Sequence, residues 1–133
     1  MKIRINRLLR CGLCQNYGVD SKGFHRGLEL FNLTHFYDAH EVWEDVWRAA
    51  PAAEKKFLQG LIQIAVGLHH HSTGNRVGAK SLLARGGRNL SGYSGDFAGI
   101  DLRSLLRGVA DCHQALADGH PLPRLPRIEM LGC

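Results

Sequence analysis

His35-Phe36-Tyr37-Asp38-Ala39-His40-Glu41-Val42-Trp43-Glu44-Asp45-Val46-Trp47 places two histidines, four carboxylates and four aromatic rings in thirteen residues that read as one helix. With successive side chains about 100° apart around a helix, His40 and Glu44 fall one turn apart on a single face. Trp47 and Phe36 flank them, and Trp43 lies slightly further round. Titratable groups at the edge of an apolar stripe are where partial burial shifts protonation and excludes water. The stretch therefore marks both a helix and a candidate site.

Outward from it the pattern stays helical. A first helix is expected from about Phe24 to Phe31, then a short break at Asn32-Leu33. Thr34 is the expected N-cap of the helix just quoted, which ends at Ala50-Pro51 because the residue before proline disfavours helical dihedrals. Pro51 suits the first turn of a third helix, with Glu54 beside it, running to about Ser72 through Phe57, Leu58, Leu61, Ile62, Ile64, Ala65 and Leu68. Its wide apolar arc makes it the central helix, with Ile62 deep in that arc. Gly60 and Gly67, seven apart, allow a neighbouring helix to approach closely. After the Thr73-Gly74-Asn75 turn a fourth helix covers about Arg76 to Leu90. A Gly- and Ser-rich loop, Ser91 to Gly99, leads to Asp101 as N-cap of a fifth, which Gly119 stops. Pro121, Pro123 and Pro126 force an extended tail. No stretch alternates with period two for long enough to make a strand. The expected fold is all-α, one compact bundle of about five helices with a Pro-rich C-terminal tail, over residues 23–133. Residues 1–22 read as a poorly ordered basic extension, dispensable for stability.

The 133 residues fit one domain, large enough for an ordinary core. The net charge of +5 arises entirely within residues 1–26, where six basic groups face Asp20. Elsewhere the signs balance, with acids concentrated over residues 29–54. A nucleic-acid binder needs a basic stripe on a structured face, so nucleic acid is disfavoured as a partner. The longest apolar stretch, Leu61 to Leu68, is broken by Gln63, and no signal peptide is evident, so the chain is expected to be cytoplasmic and not membrane-embedded. Cys11-Gly-Leu-Cys14 is a lone C-x-x-C, read as reduced thiols in the extension.

The polar groups that could do chemistry converge if the second and third helices form an antiparallel hairpin. His40 and Glu44 then face His69 and Gln63, with Trp43 and Trp47 alongside. That set offers an imidazole and a carboxylate for proton transfer, with His40 as general base oriented by Glu44. Equally, His40, Glu44 and His69 could ligate a divalent metal. The absence of any E-x-x-H pair counts against a di-metal site. The plainer reading makes His40–Glu44 a hydrogen-bonded packing pair and both tryptophans core anchors. The leading expectation is a small-ligand or metal pocket between the second and third helices, its cofactor unnamed. A helical-repeat-like peptide scaffold and a small hydrolase or lyase are the alternatives, and a homodimer is one further possibility.

Several motifs recur in order: Gly27-Leu28-Glu29-Leu30-Phe31-Asn32, Phe36 to Glu44, Phe57-Leu58-Gln59-Gly60-Leu61-Ile62-Gln63, His69-His70, Gly74-Asn75 and Leu125-Pro126-Arg127-Ile128. In these the chain resembles the bacterial and archaeal domain of unknown function 309 family over about residues 24–131. The resemblance implies a small all-helical protein with an H-x-x-x-E-x-x-W signature, carried here by His40, Glu44 and Trp47. It implies no activity. The chain departs from the family at Thr34, where glycine is usual, and at Gly86-Gly87, which weakens the fourth helix.

Overall fold

In the computed structural model, residues 21–132 are described. Five α-helices follow one another: α1 (Ser21–Asn32), α2 (Phe36–Ala49), α3 (Ala52–Ser72), α4 (Arg76–Leu90) and α5 (Leu102–Asp118). A 3-10 turn, Phe97–Gly99, precedes α5. The all-α reading holds: among the described residues the only β-pairing outside the helices is a single antiparallel bridge, Ile100 to Met130. No described helix is long and apolar enough to cross a membrane. The extension expected over residues 1–22 lies outside the described residues up to position 20, as do Cys11 and Cys14. Ser21 and Lys22, assigned to it, form the first turn of α1.

Local chemistry sets the helix ends. The Asn75 side chain accepts from Gly78 N at 2.9 Å and starts α4. Asp101 does the same for Ser104 N at 3.0 Å and starts α5, as its N-cap position predicts. Gly119 stops α5 with a left-handed φ of 74°. Two caps differ from expectation. Pro51 is the N-cap of α3 rather than its first residue. His35, not Thr34, is the N-cap of α2, and it makes no side-chain cap.

The chain winds α1 against α2, α2 against α3, α3 against α4, and α4 against α5. Helix α3 is the central element, burying Phe57, Leu58, Leu61, Ile64, Ala65 and Leu68. Ile62 is only partly buried at the margin, because α3 turns its fully enclosed stripe towards Leu61 and Ile64 instead. The Ser91–Gly99 connection is also more than a loop. Tyr93 and Phe97 stack on Phe57 with ring centroids 5.5 and 4.8 Å away. The Tyr93 hydroxyl donates to Ala53 O at 3.0 Å and accepts from Phe57 N at 3.1 Å, closing the N-terminal turn of α3.

Glycine decides how closely α3 and α4 approach. A Cβ on Gly86 would stand 2.8 Å from Gly60 O and 2.7 Å from Ile64 Cγ1, and one on Gly60 would stand 3.1 Å from Gly86 O. The two backbones touch there, so Gly86 is not merely a weak helix former. Gly87 is different, since a Cβ would meet nothing nearer than Val109 Cγ1 at 3.9 Å. Gly86→Ala should therefore destabilise by about 1–3 kcal/mol through overpacking. Gly87→Ala should stabilise by about 0.5–1 kcal/mol through helix propensity. Denaturant midpoints of the two variants that move in the same direction would refute this account of the α3–α4 contact.

The buried face of α3 also holds Glu54, only 3% exposed, with Oε1 lacking a hydrogen-bond partner. Burial raises its pKa. The folded chain thus holds a proton that the unfolded chain releases, so this stabilisation is complete below the ordinary carboxylate range and lost as pH rises through the raised value. Glu54→Gln should raise Tm at about pH 7 and lose most of that gain near about pH 4. Thermal melts across that range check the sign. A variant less stable than the parent at neutral pH would show that the carboxylate is satisfied.

Candidate functional site

Helices α2 and α3 run antiparallel: the Tyr37 ring at the start of α2 lies 5.2 Å from His69 at the end of α3. At the opposite end, Lys55 Nζ sits 4.2 Å from the Trp47 ring centroid. The expected hairpin is present. What it gathers differs from the expected set.

His40 and Glu44 do face each other, with Nε2 and Oε2 3.4 Å apart. His40 Nδ1 lies 3.0 Å from Tyr37 O. The ring is thus tied within its own helix, with Nδ1 at a backbone carbonyl and Nε2 near the Glu44 carboxylate. The His40 side chain is 17% exposed and that of Glu44 43%. A pair so open to water contributes little to stability, on the order of 0–1 kcal/mol. Glu44 also has Arg48 Nη2 at 4.0 Å.

The remaining expected residues scatter. Trp43 is fully enclosed: its Nε1 donates to Phe24 O at 3.1 Å, and a Cβ on Gly27 would strike its ring at 2.0 Å. It is an anchor between α1 and α2. Trp47 is partly buried, its indole N–H enclosed without a partner. Lys55 covers its ring and donates to Trp47 O and Arg48 O, capping the last carbonyls of α2. Gln63 turns away to α4, where its Oε1 accepts from Asn89 Nδ2 at 2.7 Å. Among the described residues no three His, Cys, Asp or Glu side chains are grouped to hold a metal ion. The set of His40, Glu44 and His69 is thus not assembled as ligands.

The residue that the sequence reading passed over is Tyr37. Its ring contacts both imidazoles, 5.1 Å from His40 and 5.2 Å from His69, and remains 49% exposed. Glu41, one turn on, is exposed and forms no ion pair among the described residues. The signal was available: Tyr37 is three residues before His40, and an antiparallel α3 brings His69 to the same level. Three clefts lie elsewhere on the described surface. One of about 350 Å³ separates α5 from the C-terminal segment, one of about 410 Å³ lies beside Arg26, Asn32 and Arg127, and one of about 390 Å³ follows α4 and α5. None of these three is lined by His40, Glu44, Trp47 or His69.

The turn that aims Tyr37 is strained. Thr34 has a φ of 66°, the left-handed region that suits glycine and penalises a β-branched residue. The strain costs about 1–2 kcal/mol, against about 0.5–1 kcal/mol for the extra freedom glycine brings to the unfolded chain. Thr34→Gly should raise Tm by a few degrees, and a fall in a calorimetric scan would mean that the threonine makes a compensating contact.

Comparison with known proteins extends this geometry. A family model described as Domain of unknown function (DUF309) matches residues 24–82. The uncharacterised protein YpuF of Bacillus subtilis (strain 168) is 39% identical over 58 residues, 43% of this chain and 33% of the relative. An uncharacterised protein of Aquifex aeolicus (strain VF5) is 33% identical over 73 residues, 54% of this chain and 22% of the relative. The chain thus spans a third or less of the length of these curated relatives. The crystal structure of a conserved hypothetical protein from Thermus thermophilus superposes with a TM-score of 0.61 at 29% identity, covering 74% of this chain and 98% of that one. The segment that matches the Domain of unknown function (DUF309) model, residues 24–82, spans most of α1, all of α2 and α3 and the first half of α4.

Proposed function

We propose that this protein is a binding module that takes a cationic peptide segment on the α2 surface, with Tyr37 and Glu41 as the recognition pair. The observation that carries the reading is Tyr37, half exposed yet fixed against two imidazoles, with an unpaired carboxylate one turn away. A guanidinium on the partner would lie against the ring and pair with Glu41, a geometry that suits arginine better than lysine. Charge supports it: α2 carries Asp38, Glu41, Glu44 and Asp45 against Arg48. Its neighbours are already committed, because Asp38 faces His35 at 3.9 Å, and Glu44 and Asp45 face His40 and Arg48.

The small-ligand or metal reading of His40, Glu44 and His69, and the hydrolase or lyase reading with His40 as base, both require a ring nitrogen free to accept. His40 is tied within α2 by Tyr37 O and Glu44, while Tyr37 and Glu41 remain open to a partner, which supports the peptide reading over either. The test is a titration of the isotopically labelled chain with an arginine-rich peptide and with its glutamate counterpart, followed by amide NMR. Saturable shifts at Tyr37, Glu41 and His69 with the first peptide alone are expected. Tyr37→Ala and Glu41→Gln should each weaken binding about tenfold, 1.4 kcal/mol, with Tm nearly unchanged because both side chains are exposed. Binding indifferent to both variants would sink the proposal. Shifts at His40 and His69 driven by zinc would return the site to the metal reading.

A further inference from the structure

Beyond α5 the chain reads Gly119-His120-Pro121-Leu122-Pro123-Arg124-Leu125-Pro126-Arg127-Ile128. Three prolines keep it extended and remove backbone donors. Such a segment would float unless side chains fixed it, and here they do. Asn32 at the end of α1 bonds both backbone groups of Ile128, donating from Nδ2 to Ile128 O and accepting from Ile128 N on Oδ1, each at 2.8 Å. Asp101 N donates to Glu129 O at 2.8 Å and Leu131 N to Gly99 O at 2.8 Å. Ile128 is 2% exposed, and Leu122 and Leu125 pack on the core. On its α5 side, Pro126 lies against Gly108, where a Cβ would come within 3.1 Å of Pro126 Cβ. The strap is therefore a fixed wall.

Between that wall and α5 lies the cleft of about 350 Å³. Its charged lining is Arg107 and Asp111 from α5, with Arg124, Arg127 and Glu129 from the strap. Arg127 is occupied, with Nε 3.1 Å from Glu129 Oε2 and Nη1 donating to Asn32 O at 3.3 Å. Arg107 and Arg124 have no carboxylate partner among the described residues, and the Ser104 hydroxyl, also in the lining, has no hydrogen-bond partner there. Two guanidinium groups without a carboxylate partner, one rooted on α5 and one on the strap, line the same cleft, and each offers an oxyanion a planar fork of donors. The lining carries three cations against two anions, so it suits a small anion and not a polyanion. The volume is that of a small-metabolite site.

We infer that the cleft between α5 and the C-terminal strap binds a small molecule bearing an oxyanion, a phosphomonoester or a carboxylate, clasped by Arg107 and Arg124 with Ser104 as a further donor. This site is independent of the Tyr37 surface. The probes are inorganic phosphate and acetate, added to the full chain at constant ionic strength with chloride as balance, and read by amide NMR. Saturable shifts at Gly108, Arg124 and Leu125 are expected. A stronger response to phosphate assigns the phosphomonoester, and a stronger response to acetate the carboxylate. Combining Arg107→Gln with Arg124→Gln should weaken the preferred anion at least about tenfold, while Arg85→Gln combined with Arg88→Gln leaves it unchanged. Should the first pair disturb folding, Arg124→Gln alone serves. Shifts that fail to saturate, that are equal around Arg85 and Arg88, or that survive loss of the cleft arginines overturn the inference.

Discussion

The contact on which the rest depends is the Trp43 indole lying against the backbone of α1 at Gly27. A Cβ there would come within 2.0 Å of Nε1, and the same nitrogen donates to Phe24 O at 3.1 Å. One side chain thus fixes distance, rotation and register between α1 and α2. It also satisfies the only polar atom of a large ring that is wholly out of water, as a buried tryptophan requires. Phe31 and Phe36 complete the wall, Phe31 lying 5.9 Å from Trp43 and 5.1 Å from Phe36. With Trp43 turned inward, helical spacing leaves Tyr37, Glu41 and Glu44 on the flank of α2. The surface read here as a binding face is the geometric complement of that anchor.

A second seam follows the same logic without aromatics. Gly60 and Gly86 let α3 and α4 meet backbone to backbone, and Gly67 lets Leu82 and Ala79 come close on the same stripe. The family match ends at residue 82, inside α4 and before Gly86. Gly86 therefore lies beyond the segment that the family model matches, as do Tyr93, Phe97 and Ile128, which pack back onto Phe57 and Asn32 within it.

Helix number and order were legible because apolar spacing, Asp101, Gly119 and Pro51 are local signals that tertiary contacts did not override. The close approach promised by Gly60 and Gly67 was legible too. The site was less so, and each shortfall has a physical reason. Trp43 and Trp47 share a stripe, and only the distant Gly27 decides which of them is swallowed. Gln63 pairs with Asn89, 26 residues away on a helix whose rotation no local pattern fixes. Ile62 and Leu61 are adjacent on a wide apolar arc, so a small rotation of α3 exchanges core for margin. Gly86 looked like a defect because propensity counts the helix alone and not the neighbour pressed against it.

His40 and Glu44 can be weighed by the same physics. A structural pair should be buried, with each charge compensated and its loss costly. Here the carboxylate is nearly half open to water, and the ring is held as much by a backbone carbonyl as by its partner. Trp43, Gly27 and the α3–α4 glycines already fix the packing that such a pair might have supplied. What the pair does accomplish is local: it holds the His40 ring against Tyr37, and through Tyr37 the flank of α2 is tied to His69 at the far end of α3. These contacts tie a half-exposed aromatic ring into the end of the α2–α3 hairpin.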